Sequence, residues 1–207
     1  MKILLTGFEP FGGDERNPSW EAVKGVADVP ADVTLIKKRL PVVFFDAADE
    51  LMEAIRRERP DAVLCAGLAG GRRAVTVERI AVNLADARIP DNAGRAPEDV
   101  TLYDAGENAY FATVPIKEIV KAIQEAGIPA AVSNTAGLFV CNNVMYAALF
   151  MAAAQGRGMR AGFIHLPYLP EQAEAAGADV FGLSLEDDIR ALEAAVACIA
   201  RTKPTDF

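Results

Sequence analysis

Short apolar runs ending in glycine or polar turns alternate along the chain with longer segments whose apolar residues recur every three or four positions. Lys2–Thr6 (K-I-L-L-T) reads as a buried strand that opens into the loop Gly7–Gly13, G-F-E-P-F-G-G. Asn17-Pro18 has the form of a helix start, cap followed by proline, and Gly25 is placed to end that helix. Asp32–Val43 carries two strand-like pieces, V-T-L-I and L-P-V-V. Ala48, Leu51, Met52 and Ile55 keep helical spacing up to a stop at Pro60. Asp61–Ala66 is a second short strand and empties into Gly67-Leu68-Ala69-Gly70-Gly71-Arg72. Ala74–Leu84 alternates well enough for one or two strands, with Glu78 between Val77 and Ile80. Asp86–Asp99 is polar and rich in turn residues, long enough for a lid or binding loop.

Phe111–Val114 is strand-like, and Pro115–Gly127 is amphipathic, with Ile116, Ile119, Val120 and Ile123 on one face. An apolar run then ends at Ser133, a second run Leu138-Phe139-Val140 delivers Cys141, and Val144–Ala154 predicts a buried helix free of Pro and Gly until Gly156. Arg160–Pro167 reads as a strand with His165 near its C-terminal end. Ser184 caps a last helix whose apolar face is Ile189, Leu192, Val196 and Ile199, with Cys198 beside it; Arg201–Phe207 is expected to fray. Strands and helices alternate throughout. The expectation is α/β: one domain over residues 1–207, an α/β/α sandwich around a twisted, largely parallel (mixed) sheet.

Composition narrows the functions. The formal net charge of −8 gives no reason to expect nucleic acid or an anionic membrane surface as a partner. The apolar opening is too short for a secretory leader, and no stretch approaches the roughly 20 apolar residues of a membrane span. Three cysteines without close spacing, Cys65, Cys141 and Cys198, form neither a disulfide framework nor a zinc pattern, so free thiols in the cytoplasm are expected. There is 1 histidine. Any thiol–imidazole chemistry must use His165, and a multi-histidine metal site is excluded.

The candidate chemistry gathers around Cys141. It falls at or just before a helix N-terminus, where unpaired N–H groups and the helix dipole favour a thiolate, so a lowered thiol pKa is expected; the alternative is a small buried hydrophobe. Glu78 is either on an exposed strand face or held inside by a partner. His165 is either structural or the base a nucleophile requires. The Gly67–Gly71 loop lacks both G-x-G-x-x-G and Gly-Lys-Ser/Thr, so it is a tight turn before it is a phosphate cradle. In open α/β sheets, ligand sites lie beyond strand C-termini, which is where the Phe8–Gly13 loop, the Gly67–Gly71 loop, the Asn134–Cys141 turn and His165 all fall.

An ordered set of motifs now carries a resemblance: G-F-E-P-F-G-G (Gly7–Gly13) with Asn17-Pro18-Ser19, A-G-G-R (Ala69–Arg72), E-R-I-A-V-N (Glu78–Asn83), D-A-R-I-P-D-N (Asp86–Asn92), S-N-T-A-G-L-F-V-C-N (Ser133–Asn142) and H-L-P-Y-L-P-E-Q (His165–Gln172). From Met1 to about Gln172 the chain resembles the pyroglutamyl peptidase I, or pyrrolidone-carboxylate peptidase, family. The resemblance implies a cytoplasmic, homotetrameric cysteine peptidase with no cofactor and no metal, acting on N-terminally pyroglutamylated peptides. It implies a Glu78–Cys141–His165 triad, with the Cys141 N–H and Arg88 as oxyanion donors. Phe8 and Phe11 match an aromatic pair that sandwiches the lactam ring; Asn17, Ile89, Phe139 and Val140 match other pocket positions. One departure bears on substrate choice: Leu68 stands where the family commonly has a glutamine that hydrogen-bonds the lactam. Two other functions stay open, a cysteine amidase with altered acyl preference and a lactam-binding protein without turnover.

Overall fold

The computed structural model describes residues 1–155 and 158–202. The expected helix stop at Gly156 and most of the expected frayed tail, residues 203–207, lie outside the described residues. In chain order the elements are β1 (Lys2–Phe8), α1 (Pro18–Gly25), β2 (Thr34–Leu40), α2 (Asp46–Glu58), β3 (Ala62–Leu68), β4 (Val75–Glu78), β5 (Ile80–Val82), β6 (Leu84–Ala85), β7 (Val100–Thr101), β8 (Ala109–Phe111), α3 (Ile116–Glu125), β9 (Ala130–Ser133), α4 (Val140–Gln155), β10 (Arg160–Leu166), α5 (Pro170–Ala176) and α6 (Leu185–Arg201).

Six strands make the central sheet, in the order β2-β1-β3-β10-β4-β9. Every pairing is parallel but one: β10 and β4 run antiparallel. The inner strands β3 and β10 are buried along their length, hence their unbroken apolar runs; β2, at the edge, alternates and is part exposed. Helices α1, α3 and α6 cover one face, and α4 covers the other with α2 packed against it. Val144–Leu149 of α4 are all buried because β5, β8 and α2 close over the side of that helix away from the sheet. That is why the helix is apolar all round and has no amphipathic stripe. No described helix is long and apolar enough to cross a membrane.

Several helix ends follow the local chemistry. Asn17 Oδ1 accepts from Ser19 N at 3.1 Å, with Pro18 in the first turn, and Ser184 Oγ accepts from Asp187 N at 3.1 Å. Arg59, with φ +50°, closes α2 just before Pro60.

Four local expectations are corrected. Asp32–Val43 holds one strand, Thr34–Leu40; it stops at Pro41, which has no N–H to donate to a ladder. Ala74–Leu84 becomes three short strands, not one or two. The Arg79 N–H makes the last bond of the β4–β9 ladder, to Ser133 O at 2.8 Å, while its carbonyl accepts from Ala112 N at 2.8 Å, and the Asn83 side chain bonds the backbone of Tyr103, which breaks the run twice. The strand expected at Phe111–Val114 lies earlier, at Ala109–Phe111, paired antiparallel with β5 in a small outer sheet. The segment from Leu169 to Ser184, which carried no predicted helix, contains α5.

Candidate active site

Strand periodicity brings the candidate residues together. In the parallel ladder His165 is the register partner of Gly67, and in the antiparallel ladder it is the partner of Thr76. Side chains two apart on a strand share a face, so Thr76 and Glu78 on β4 join His165 and Phe163 on β10. The face they share is the one α4 packs on. A Cβ at Gly67 would lie 3.0 Å from Cys141 Sγ and 2.8 Å from the Phe163 ring. The missing side chain at Gly67 is therefore what lets the sulfur sit down on the sheet, one strand away from the imidazole.

Cys141 is the second residue of α4, and the helix begins with Asn143 N donating to Phe139 O at 3.2 Å. Its own N–H thus belongs to the first turn, without an acceptor inside the helix. The next two residues anchor that turn. Asn142 is fully buried and behaves like a strand edge: Oδ1 accepts from Val82 N at 2.9 Å, and Nδ2 donates to Val82 O at 2.9 Å and Leu84 O at 3.0 Å. Asn143 Oδ1 accepts from Phe45 N at 2.8 Å.

Glu78 is fully buried, so the interior reading of this residue holds. Its Oε1 lies 2.7 Å from His165 Nδ1 and also accepts from the Arg72 guanidinium. Burial pushes the carboxyl up, but the bond and charge of His165, with Arg72, outweigh that and hold it below its ordinary value. Burial lowers the His165 imidazole, Glu78 opposes this and Arg72 adds to it; the result is below the usual value. Cys141, half-buried, departs from expectation. Burial pushes its thiol up to about 12, and the Glu78 charge adds to this against a smaller opposite effect of Arg72. The helix N-terminus is a local bias; desolvation of the sulfur is larger and opposes the thiolate.

Two cavities meet at Cys141. The smaller, about 120 Å³, is lined by Phe8, Phe11, Asn17, Leu68, Phe139 and Val140, among others. The larger, about 380 Å³, holds Cys141 and His165 together with Arg72, Asp86, Arg88 and Ile89. Phe139 is fixed edge-on to Phe44, ring centroids 5.0 Å apart, and tilted on Phe11 at 5.3 Å. Asn17 lines the small cavity with its groups already engaged: Oδ1 serves Ser19, and Nδ2 donates to Glu9 O at 2.8 Å. Leu68 contributes only hydrocarbon. Arg88 and Ile89 sit at the exposed rim, on a segment more ordered than a free lid. There Asp91 accepts from Phe44 N at 2.8 Å and from Arg95 N at 2.8 Å, and Arg95 pairs with Asp46. Among the described residues no three His, Cys, Asp or Glu side chains cluster as a metal site.

Three contributors had no role in the sequence reading: Arg72, Thr76 and Asn142. For Arg72 a signal existed, since a carboxylate placed inside needs a cation and the glycine loop before β4 runs into arginine. For Asn142 there was none; its value lies in reaching β5 and β6 across the fold.

A thiol at a helix start, an imidazole one strand away and a buried carboxylate behind it, all at the rim of an α/β sheet, are the parts of a cysteine hydrolase. The sequence profile of the pyroglutamyl peptidase family matches residues 1–202. The pyrrolidone-carboxylate peptidase of Thermococcus onnurineus is 54% identical over 173 residues, 84% of this chain and 86% of that protein. That of Streptococcus suis is 50% identical over 200 residues, 96% of this chain and 92% of that protein. The crystal structure of pyroglutamyl peptidase I from Bacillus amyloliquefaciens superimposes with a TM-score of 0.92 at 44% identity, covering 97% of this chain and 95% of that one. The chain belongs to the pyroglutamyl peptidase family, and so to the cysteine peptidases.

Proposed function

We propose that the chain removes N-terminal pyroglutamyl residues from peptides by acyl transfer to Cys141. The observation that carries this reading is the junction of the two cavities at Cys141, with His165 on the larger side only. The flat, uncharged lactam occupies the small, mainly apolar cavity between the Phe8 and Phe11 rings, with Phe139 and Val140 lining it and Ile89 on the side of the larger cavity. Asn17 holds the cavity wall in place. The scissile carbonyl then lies over Cys141, and the departing peptide lies in the larger cavity.

His165 Nε2 takes the thiol proton as Sγ adds to the carbonyl carbon. Glu78, at Nδ1, orients the ring and stabilises the imidazolium that forms. The Cys141 N–H and Arg88 receive the negative charge on the carbonyl oxygen. The imidazolium returns its proton to the leaving nitrogen, a thioester remains, and water, deprotonated by the same imidazole, releases pyroglutamate and regenerates the thiol. No step calls for a metal or cofactor. A homotetramer in the cytoplasm completes the proposal, on the family resemblance.

The test is Cys141→Ala against a pyroglutamyl anilide. Turnover is lost with the lactam still bound; turnover within tenfold of the unsubstituted chain removes Cys141 from the mechanism. A second reading has its own support. Leu68, on the wall of the small cavity, offers no hydrogen bond to a lactam N–H, which favours a cysteine amidase of broader acyl preference. Faster turnover of a non-lactam N-acyl amide than of the pyroglutamyl one selects that reading.

A further inference from the structure

We propose that Arg72 is a positioning residue of this site: it fixes the Glu78 carboxylate against the imidazole and sets a permanent positive charge against protonation of that imidazole. The inference rests on His165 being the base.

The geometry is that of a clamp between three segments. Arg72 Nη1 bonds Glu78 Oε1, the same oxygen that faces His165 Nδ1, and also Thr76 Oγ1; Nη2 donates to Thr135 O at 3.0 Å. The arginine side chain keeps 28% of its exposure while the glutamate has none. One guanidinium thus ties the loop after β3 to β4 and to the turn that leads into α4, and Arg72 lines the cavity that holds Cys141 and His165.

Charge balance gives the clamp its chemical consequence. A buried carboxylate requires a cation beside it. Arg72 supplies it, so Glu78 is balanced without a proton on His165. The other groups around the imidazole are Cys141 on α4 and, beyond it, Cys65 on β3, both with thiols pushed up by burial to about 12 and so uncharged. Across the same cavity stand Asp86 and Arg88, opposite in sign. Without Arg72, the imidazole is the nearest group able to neutralise Glu78. It would then rest as imidazolium, which cannot accept the thiol proton. Arg72 lowers the imidazole and Cys141 alike, in agreement with this role.

The test uses the fact that the chain has 1 histidine, so one imidazole Hε1 resonance reports His165 directly. This signal is titrated by NMR in the full chain, in Arg72→Met and in Arg72→Lys, beside the pH profile of kcat/KM on a pyroglutamyl anilide. A neighbouring charge is worth on the order of tenfold or more in proton affinity. The titration midpoint should rise by that factor in Arg72→Met, and Arg72→Lys should bring it most of the way back. The acid limb of kcat/KM should move to higher pH in step. A purely structural role would reduce activity at every pH and leave both midpoints in place. An unmoved NMR midpoint in Arg72→Met overturns the proposal. Should that variant not fold, Arg72→Gln supplies the same comparison. An NMR midpoint that moves while the activity profile stays still supports the charge clamp and removes His165 as the base, so the two readings fail separately.

Discussion

Replacing Glu78 by glutamine isolates the carboxylate's charge from its shape. The amide is isosteric and can still accept a hydrogen bond from Nδ1–H. What disappears is the negative charge 2.7 Å from the imidazole in a fully buried position. At an effective dielectric of about 20, unit charges at that separation interact by about 6 kcal/mol. Arg72 is present with and without the carboxylate charge, so its own effect on the imidazolium cancels from the comparison and about 6 kcal/mol of support is lost. In the proposed mechanism the imidazolium forms as the thiol gives up its proton, so the loss falls on the transition state: about 10⁴-fold in kcat. KM should change little, because Glu78 does not line the small cavity. The substitution also leaves the Arg72 guanidinium without its counter-ion, so a lower melting temperature should accompany the slower turnover. The assay is kcat at saturating pyroglutamyl anilide near pH 7, on protein shown by circular dichroism to be folded. A folded Glu78→Gln enzyme with kcat within threefold of the unsubstituted chain would refute the assigned role of the carboxylate.

Two further outcomes are expected. Leu68→Gln places an amide where the cavity now offers only hydrocarbon, and one hydrogen bond to a neutral ligand contributes about 1–3 kcal/mol when its absence leaves a buried group unpaired. KM for the pyroglutamyl anilide should therefore fall about tenfold while a non-lactam N-acyl anilide gains nothing; equal effects on both substrates would place Leu68 outside lactam recognition. Asp188 is fully buried in the first turn of α6, both its oxygens lack hydrogen-bond partners among the described residues, and burial raises its carboxyl from 3.8 to about 8. The folded state holds a proton that the unfolded state releases, so this group costs stability as pH rises between those two values, by about 1.4 kcal/mol per pH unit. Asp188→Asn should thus raise the urea midpoint more at pH 8 than at pH 5, and an identical gain at both would contradict the assignment.

How much of the fold was legible in the sequence depends on how local each cause is. Helix caps such as Asn17 and Ser184 act within three residues, and both were readable. The apolar spacing of α2, α3 and α6 reports burial of a face, and the uniform apolarity around α4 reports burial on every side. His165 was legible by elimination, since no other imidazole exists. Glu78 was half legible: a carboxylate in an apolar strand must be either outside or paired, and the strand does not say which. Arg72 settles that choice from a loop that meets β4 only in the folded chain. The lowered thiol pKa expected at Cys141 was outweighed for a related reason. The helix N-terminus is a local signal, whereas the desolvation that outweighs it comes from β3, β10 and the aromatic wall. Short outer strands such as β5 and β8 were blurred because they are only three residues long, and β5 depends on the Asn142 side chain at its end.

The same burial that keeps the thiol protonated also strengthens the interactions that form once the proton has moved. In a site closed by Phe8, Phe139 and Phe163, the attraction between Glu78 and a newly formed imidazolium is far less screened than in water, as is the pull of the Cys141 N–H on a developing oxyanion. A resting thiolate would gain nothing from the oxyanion contact until substrate arrives, and it would be open to alkylation and oxidation meanwhile. In the proposed mechanism, a thiol–imidazole pair backed by the Arg72–Glu78 couple separates charge when an acyl group is in place to receive the sulfur. That arrangement also fits an uncharged lactam. The acyl cavity is mainly apolar, its Asp14 is accompanied by Arg16, and entry of a flat neutral ring displaces water from the sulfur without bringing a competing charge within reach of Glu78. In the proposed reaction the raised thiol pKa and the support given to the charges that form later have one physical origin, the low dielectric around Cys141.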